Sequence, residues 1–316
     1  MSNFRILLAA VSAIVLFLYG LEAFSREIQT VGGVTLQKWL GRLTESRWRG
    51  VVLGALATAI VQSSSATTAL TVALVDAGTM SFRSSLGVLL GANIGTTSTA
   101  WLVSLKLTSI GPFFIVLGAL LSALPTRFKM LGKAAFYFGF IFFSLDVVSF
   151  TLKPLAQNPL FAEVLSRSST PLMGALAGML VTALVQSSSI TTGLCILLVQ
   201  QNLLAGTAAI PIVIGANIGT TATALVASIK MQKTARRVAV ANLCFNTFGV
   251  VLFLPFLGRF AVKVTEFASD PGMAVAWAQL VFNIVMTLAV LVLLRVFQAK
   301  LFGPAMGTLV SEPHSE

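Results

Sequence analysis

Long uncharged apolar runs decide what solvent this chain folds in. "ILLAAVSAIVLFLYG" and "VAWAQLVFNIVMTLAVLVLL" approach or reach the roughly 20 residues a helix needs to cross a bilayer. Only 10% of the residues are charged and 56% are hydrophobic, where a soluble domain carries about 25% charged. In hydrocarbon every backbone N–H and C=O must find a partner inside the protein, which leaves helices or a closed barrel. The alternating ten-residue strands of a barrel are not seen. The chain reads as an all-α, multi-pass integral membrane protein, with the lipid bilayer as its first partner.

The remaining composition narrows the class further. The formal charge is +11, from 21 Lys and Arg against 10 Asp and Glu. In a soluble protein that excess would suggest nucleic acid. Here it is expected in cytoplasmic loops, and no nucleic-acid partner is implied. Cys195 and Cys244 lie in apolar segments and read as small core residues. The first apolar run has one preceding Arg and no small-residue cleavage site, so it reads as a retained helix. No phosphate loop, zinc spacing or dinucleotide fingerprint is present, and no cofactor is expected.

The chain repeats itself. "VQSSSATT" begins at Val61 and "VQSSSITT" at Val185, an offset of 124 residues. "GANIGTT" occupies Gly91–Thr97 and again Gly215–Thr221 at the same offset. Glu22 and Asp146, Gly50 and Gly174, and Gly54 and Gly178 obey it too. One gapless register relates most of 18–105 to 142–229, which is an internal duplication.

Crossing helices are expected at 4–25, 84–105, 109–124, 133–152, 207–229, 238–258 and 273–296. Between them lie 50–78 and 171–202, each with a serine cluster at its middle. Either half of such a segment spans roughly 15–20 Å as helix, short of a hydrocarbon core of about 30 Å. A re-entrant hairpin fits these lengths. Each repeat then crosses three times, and the odd count inverts the second copy. Repeat 1 covers 1–130 with hairpin 50–78 and a broken helix at 84–105. Repeat 2 covers 131–262 with hairpin 171–202 and a broken helix at 207–229. The last crossing helix and a short tail occupy 263–316. The alternative is that each serine segment crosses once as a single long helix, and both arrangements satisfy the positive-inside rule. Either one puts the N-terminus outside and the C-terminus in the cytoplasm.

A broken helix at membrane depth frees amides and carbonyls that protein or a wet cavity must satisfy. Gly91, Gly95, Gly215 and Gly219 are expected to let the backbone unwind and approach closely. Half-helix N-termini suit an anion, and unwound carbonyls suit a monovalent cation. Ser hydroxyls and Gln or Asn amides can serve both. Such an uncharged cluster can hold anion and cation together without a permanent buried charge.

Paired Q-S-S-S clusters, each followed 29 residues later by G-A-N-I-G-T-T, resemble the type II sodium–phosphate cotransporters and their bacterial relatives. The resemblance covers nearly the whole chain and includes "ARRVAVANLCFN" at Ala235–Asn246. It implies a secondary carrier of the bacterial inner membrane that brings inorganic phosphate into the cell with sodium by alternating access, sodium being the coupling ion. It implies substrate binding by Gln62, Ser63, Ser64, Ser65, Gln186, Ser187, Ser188 and Ser189. Sodium would be held by Gln62, Asn93, Thr96, Gln186, Asn217, Thr220 and Thr223. Family members often carry His three residues before the Phe of the late "FN" pairs; here Asn242 and Gln279 stand there. Many bacterial relatives carry a PhoU-like extension, which this chain is expected to lack.

Other readings stand beside this one. A serine patch in a membrane helix is commonly interhelical packing, and the "GANIGTT" runs could be small-residue seams. Asn246 and Asn283 suit bonding between the late helices. Glu22 and Asp146 are intramembrane carboxylates, suspects for function, yet Arg26 lies one turn after Glu22 and invites a paired interfacial role. An intramembrane hydrolase would need a base near its serines, and the one histidine, His314, is in the tail, so no enzyme is expected. A channel lined by polar tips, or a carrier of another small oxyanion, remains the alternative.

Overall fold

The computed structural model describes residues 3–43, 46–105, 110–124, 127–156 and 170–301. Among them the chain is helical throughout, with no strand. The helices are α1 (Asn3–Leu43), α2 (Arg47–Val61), α3 (Ser64–Asp76), α4 (Phe82–Ser104), α5 (Gly111–Ser122) and α6 (Arg127–Ala156). Then follow α7 (Pro171–Val185), α8 (Ser188–Gln200), α9 (Gly206–Ser228), α10 (Lys233–Phe267) and α11 (Pro271–Leu301). Six described stretches are long and apolar enough to cross a membrane, lying in α1, α4, α6, α9, α10 and α11.

Local chemistry sets many of the helix starts. Ser46, Ser63, Ser81, Thr170 and Ser187 each cap a helix by accepting a bond from a first-turn amide. α1 runs on to Leu43, where the sequence suggested a loop from residue 26. No proline interrupts that stretch, and Gly32 and Gly33 weaken a helix by only about 1 kcal/mol each. The helix expected at 109–124 is described as the 12 residues of α5, about 18 Å long.

The expected breaks at 84–105 and 207–229 are not there. α4 and α9 pass through "GANIGTT" as continuous helix. The glycines serve packing instead. A Cβ on Gly87, Gly91 or Gly95 would drive into the carbonyl oxygens of Arg47, Val51 and Ala55. Gly215 and Gly219 stand in the same relation to Ala175 and Met179 on α7. Backbone touches backbone, so the ladder of i to i−4 bonds need not open.

Those contacts also fix direction. Residues 47, 51 and 55 of α2 meet 87, 91 and 95 of α4, so the two helices run parallel. The chain between them must return, and α3 brings it back to the first turn of α4. α7, α8 and α9 repeat the arrangement, with 175 and 179 against 215 and 219. α3 ends where Asp76 accepts the backbone N–H of Gln232, at the junction of α9 and α10. α8 ends where Gln200 donates to the Ser104 carbonyl, at the last turn of α4. The two helix pairs therefore open at opposite ends of α4.

α1 and α6 pack antiparallel, Gly20 against Phe140 and Ile141, with Lys133 reaching Glu27. Phe17, Ile141, Phe142 and Leu145 are fully or nearly fully buried in the core that runs from here to Ile196, Ile210 and Ile214. A smaller cluster around Val72, Val88, Val238 and Ala239 fills the space under α3.

Candidate functional site

The two serine segments break their helices in the same way. Gln62 and Gln186 close α2 and α7 in the left-handed region, at φ 56° and 59°. Their backbone N–H groups donate to the Thr58 and Thr182 carbonyls. Ser63 and Ser187 are extended and cap α3 and α8, accepting from the Ala66 and Ile190 amides. Thr67 and Thr191 donate back to the Ser63 and Ser187 carbonyls. Each break thus presents carbonyls from the end of one short helix and first-turn amides from the start of the next.

The tips meet. Ser65 Oγ donates to the Gln186 carbonyl at 3.2 Å, and Thr99 Oγ1 lies 3.4 Å from Ser189 Oγ. Between them and α1 is a cavity of about 390 Å³. Gln62, Ser63, Ser65 and Thr99 line it from one repeat, and Gln186, Ser187 and Ser189 from the other. Leu21, Glu22, Ser25, Arg26 and Gln29 complete the wall from α1. Such a space takes a small ion with part of its water, and its lining supplies donors and acceptors in one place.

The side chains of the tips are not equivalent. Gln62 Nε2 donates to Ser98 Oγ at 2.8 Å and to the Ala59 carbonyl, while its Oε1 accepts from Thr99 Oγ1 at 2.9 Å. Gln186 is exposed, and its carboxamide has no hydrogen bond among the described residues. At the positions 124 residues after Ser98 and Thr99 stand Ala222 and Thr223, and the Thr223 hydroxyl is buried without a partner among the described residues.

The other expected site residues sit elsewhere. Ser64 and Ser188 are buried at the starts of their helices and do not line the cavity. Thr96 and Thr220 donate to the Ala92 and Ala216 carbonyls of their own helices, and Asn217 to those of Val213 and Ile214. Asn93 Nδ2 donates to Asn246 Oδ1 at 3.0 Å, and Asn283 Nδ2 to the Asn93 carbonyl at 3.0 Å. Asn246 also donates to Asn242. These asparagines tie α4, α10 and α11 together beside a void of about 10 Å³, room for about one water. The wall contributed by α1 went unassigned in the sequence apart from Glu22. Residues 22, 25, 26 and 29 share one helical face, a signal present in the sequence. Thr99 was signalled too, by the offset from Thr223.

One family pattern, described as Na+/Pi-cotransporter, matches residues 16–150 and again residues 145–265. The chain belongs to that family. Among its relatives is YqeW of Bacillus subtilis, 31% identical over 92% of this chain and 96% of its own length. Another is YjbB of Escherichia coli O157:H7, named for inorganic phosphate export, 28% identical over 90% of this chain. This chain spans about half of that relative, 53% of its length. The human sodium-dependent phosphate transport protein 2B is 36% identical over 40% of this chain and 20% of its own. No solved structure matches. Membership makes the chain a multi-pass membrane protein of a transporter family, not an enzyme, and supports phosphate transport.

Proposed function

We propose that the protein is a secondary carrier that moves inorganic phosphate together with sodium by alternating access. The observation that carries this reading is the meeting of both duplicated tips in one polar cavity between helix ends. First-turn amides of α3 and α8 and the serine hydroxyls suit the oxyanion. Carbonyls closing α2 and α7, with the Gln62 and Gln186 amides, suit sodium. In this reading phosphate is held by Gln62–Ser65 and Gln186–Ser189. Sodium draws on Gln62 and Gln186, and on Asn93, Thr96, Asn217, Thr220 and Thr223 once the helices shift.

The same reading takes α2–α3 and α7–α8 as re-entrant hairpins in inverted repeats. The opposite openings of the two pairs, the antiparallel packing of α1 with α6 and the twofold family match support it. The basic residues Arg47, Arg83, Lys129, Lys133, Lys230 and Lys233 gather at the end where α2 begins. That end is then cytoplasmic, with the N-terminus outside and the C-terminus inside. A sodium gradient directed inward drives phosphate inward.

Purified protein in proteoliposomes tests this. An imposed inward sodium gradient should drive saturable uptake of labelled phosphate, and choline should not replace it. Sodium flux without phosphate would make it a channel. Phosphate movement indifferent to sodium would favour the export suggested by the name of YjbB.

A further inference from the structure

The cavity is walled by hydroxyls, carboxamides and apolar groups, with two exceptions. Among the described residues, Glu22 and Arg26 are its only acidic and basic lining residues. They bind each other, one Arg26 Nη to one Glu22 Oε1, with side chains 57–73% exposed. The neighbouring pair, Lys133 and Glu27, does not line the cavity. A guanidinium carries five donors, and this contact uses one of them among the described residues. The second Glu22 oxygen likewise has no partner among them.

We propose that Glu22 and Arg26 form a charge-exchange pair for the transported ions. This rests on the sodium–phosphate reading above. The oxyanion takes Arg26 from Glu22, and the freed Glu22 carboxylate takes the cation. An arginine fork matches two oxygens of a phosphate as it matches a carboxylate. Either ion arriving alone must split the pair and leave one charge without its partner. The two arriving together leave none. Cooperative binding follows without any net charge in the empty cavity, and linkage makes it reciprocal. The pair exists once. Asp146, at the offset of 124 from Glu22, is exposed and away from the cavity, and Phe150 stands at the offset from Arg26.

Phosphate binding to the purified full chain, by calorimetry in sodium and in choline, tests this. Wild type should bind more tightly in sodium. Arg26→Gln should weaken phosphate about tenfold in sodium, the order of one charge-assisted hydrogen bond in a wet site. Glu22→Gln releases Arg26 and should tighten phosphate in choline while shrinking the effect of sodium. The double substitution should bind with little dependence on the cation. Arg26→Lys keeps the charge and should recover part of the loss, which separates charge from misfolding. Wild-type sodium dependence persisting in Glu22→Gln and in Arg26→Gln would overturn the proposal and leave the carrier reading intact. A wild type that binds no phosphate in either cation would remove the carrier reading and this proposal with it.

Discussion

A glutamine in the left-handed region is an expensive choice at a helix end. Glycine is the usual residue there, and any other L-residue costs about 1–2 kcal/mol. Gln62 and Gln186 both carry that cost, which points to a use for their carboxamides. Their surroundings separate the outcomes of replacing them. Gln186→Gly relieves the backbone and breaks no side-chain bond among the described residues. Its thermal midpoint in detergent should equal or exceed that of wild type, by up to about 1 kcal/mol of stability. Gln62→Gly relieves the same strain but takes from the buried Thr99 hydroxyl the carboxamide it donates to, leaving it only the 3.4 Å contact with Ser189, at about 1–3 kcal/mol, while Ser98 keeps its bond to the Gly95 carbonyl. It should melt lower. Both should bind phosphate less tightly by calorimetry. Equal melting of the two variants would contradict the asymmetry seen between the tips. The tip residues were legible because a repeat of identical polar residues inside apolar sequence has few physical explanations. Arg26 and Gln29 were not, because a helical face shows in the sequence but the surface it meets does not.

Two pairs of elements meet through glycine rather than through large side chains. The seams of α2 with α4 and α7 with α9 bring carbonyl oxygens where a Cβ would stand, at Gly54, Gly91, Gly178 and Gly215. The sequence pattern alone fits either a seam or an unwound helix, since glycine permits both. Tertiary contact decides, and α2 and α7 supply it. Gly91→Ala or Gly215→Ala must push a hairpin helix off its partner and displace the tip it carries. Each should cost about 1–3 kcal/mol, the range for overpacking, or more because backbone is in the way. The thermal midpoint should drop and phosphate binding weaken with it. Gly258→Ala is the control. Its Cβ meets only Pro171 Cγ, at 3.4 Å, and a helical alanine gains roughly 0.8–1 kcal/mol over glycine. An unchanged midpoint for Gly91→Ala would mean that the seam is looser than drawn.

At the scale of the whole molecule, two halves with nearly superposable local backbone hold their tips differently. Thr99 donates to Gln62, whereas Thr223 is buried with no acceptor among the described residues and Gln186 stands in the cavity. In the alternating-access reading proposed above, the two halves would exchange conformations. The opposite state would then bring Gln186 to Thr223 and free Gln62 from Thr99. The cavity of the present state reaches along α1 from Leu21 to Gln29, toward the end where α2 begins. That end is cytoplasmic in the proposed orientation. Thr223→Val removes the unmet hydroxyl of this state and the bond of the other, so it should favour this state by about 1–3 kcal/mol. A shift of 1.4 kcal/mol within that span is tenfold in population. Thr99→Val should act in the opposite sense. The readout is a cysteine at Gln29 in a chain with Cys244→Ser, since Cys244 is exposed and Cys195 is buried. A membrane-impermeant thiol reagent applied to inside-out vesicles should label Gln29→Cys faster with Thr223→Val than without it. Thr99→Val should slow the labelling. Both should lower turnover in proteoliposomes, because each unbalances the two states of the proposed cycle. Labelling rates that ignore both substitutions would separate these threonines from the conformational change.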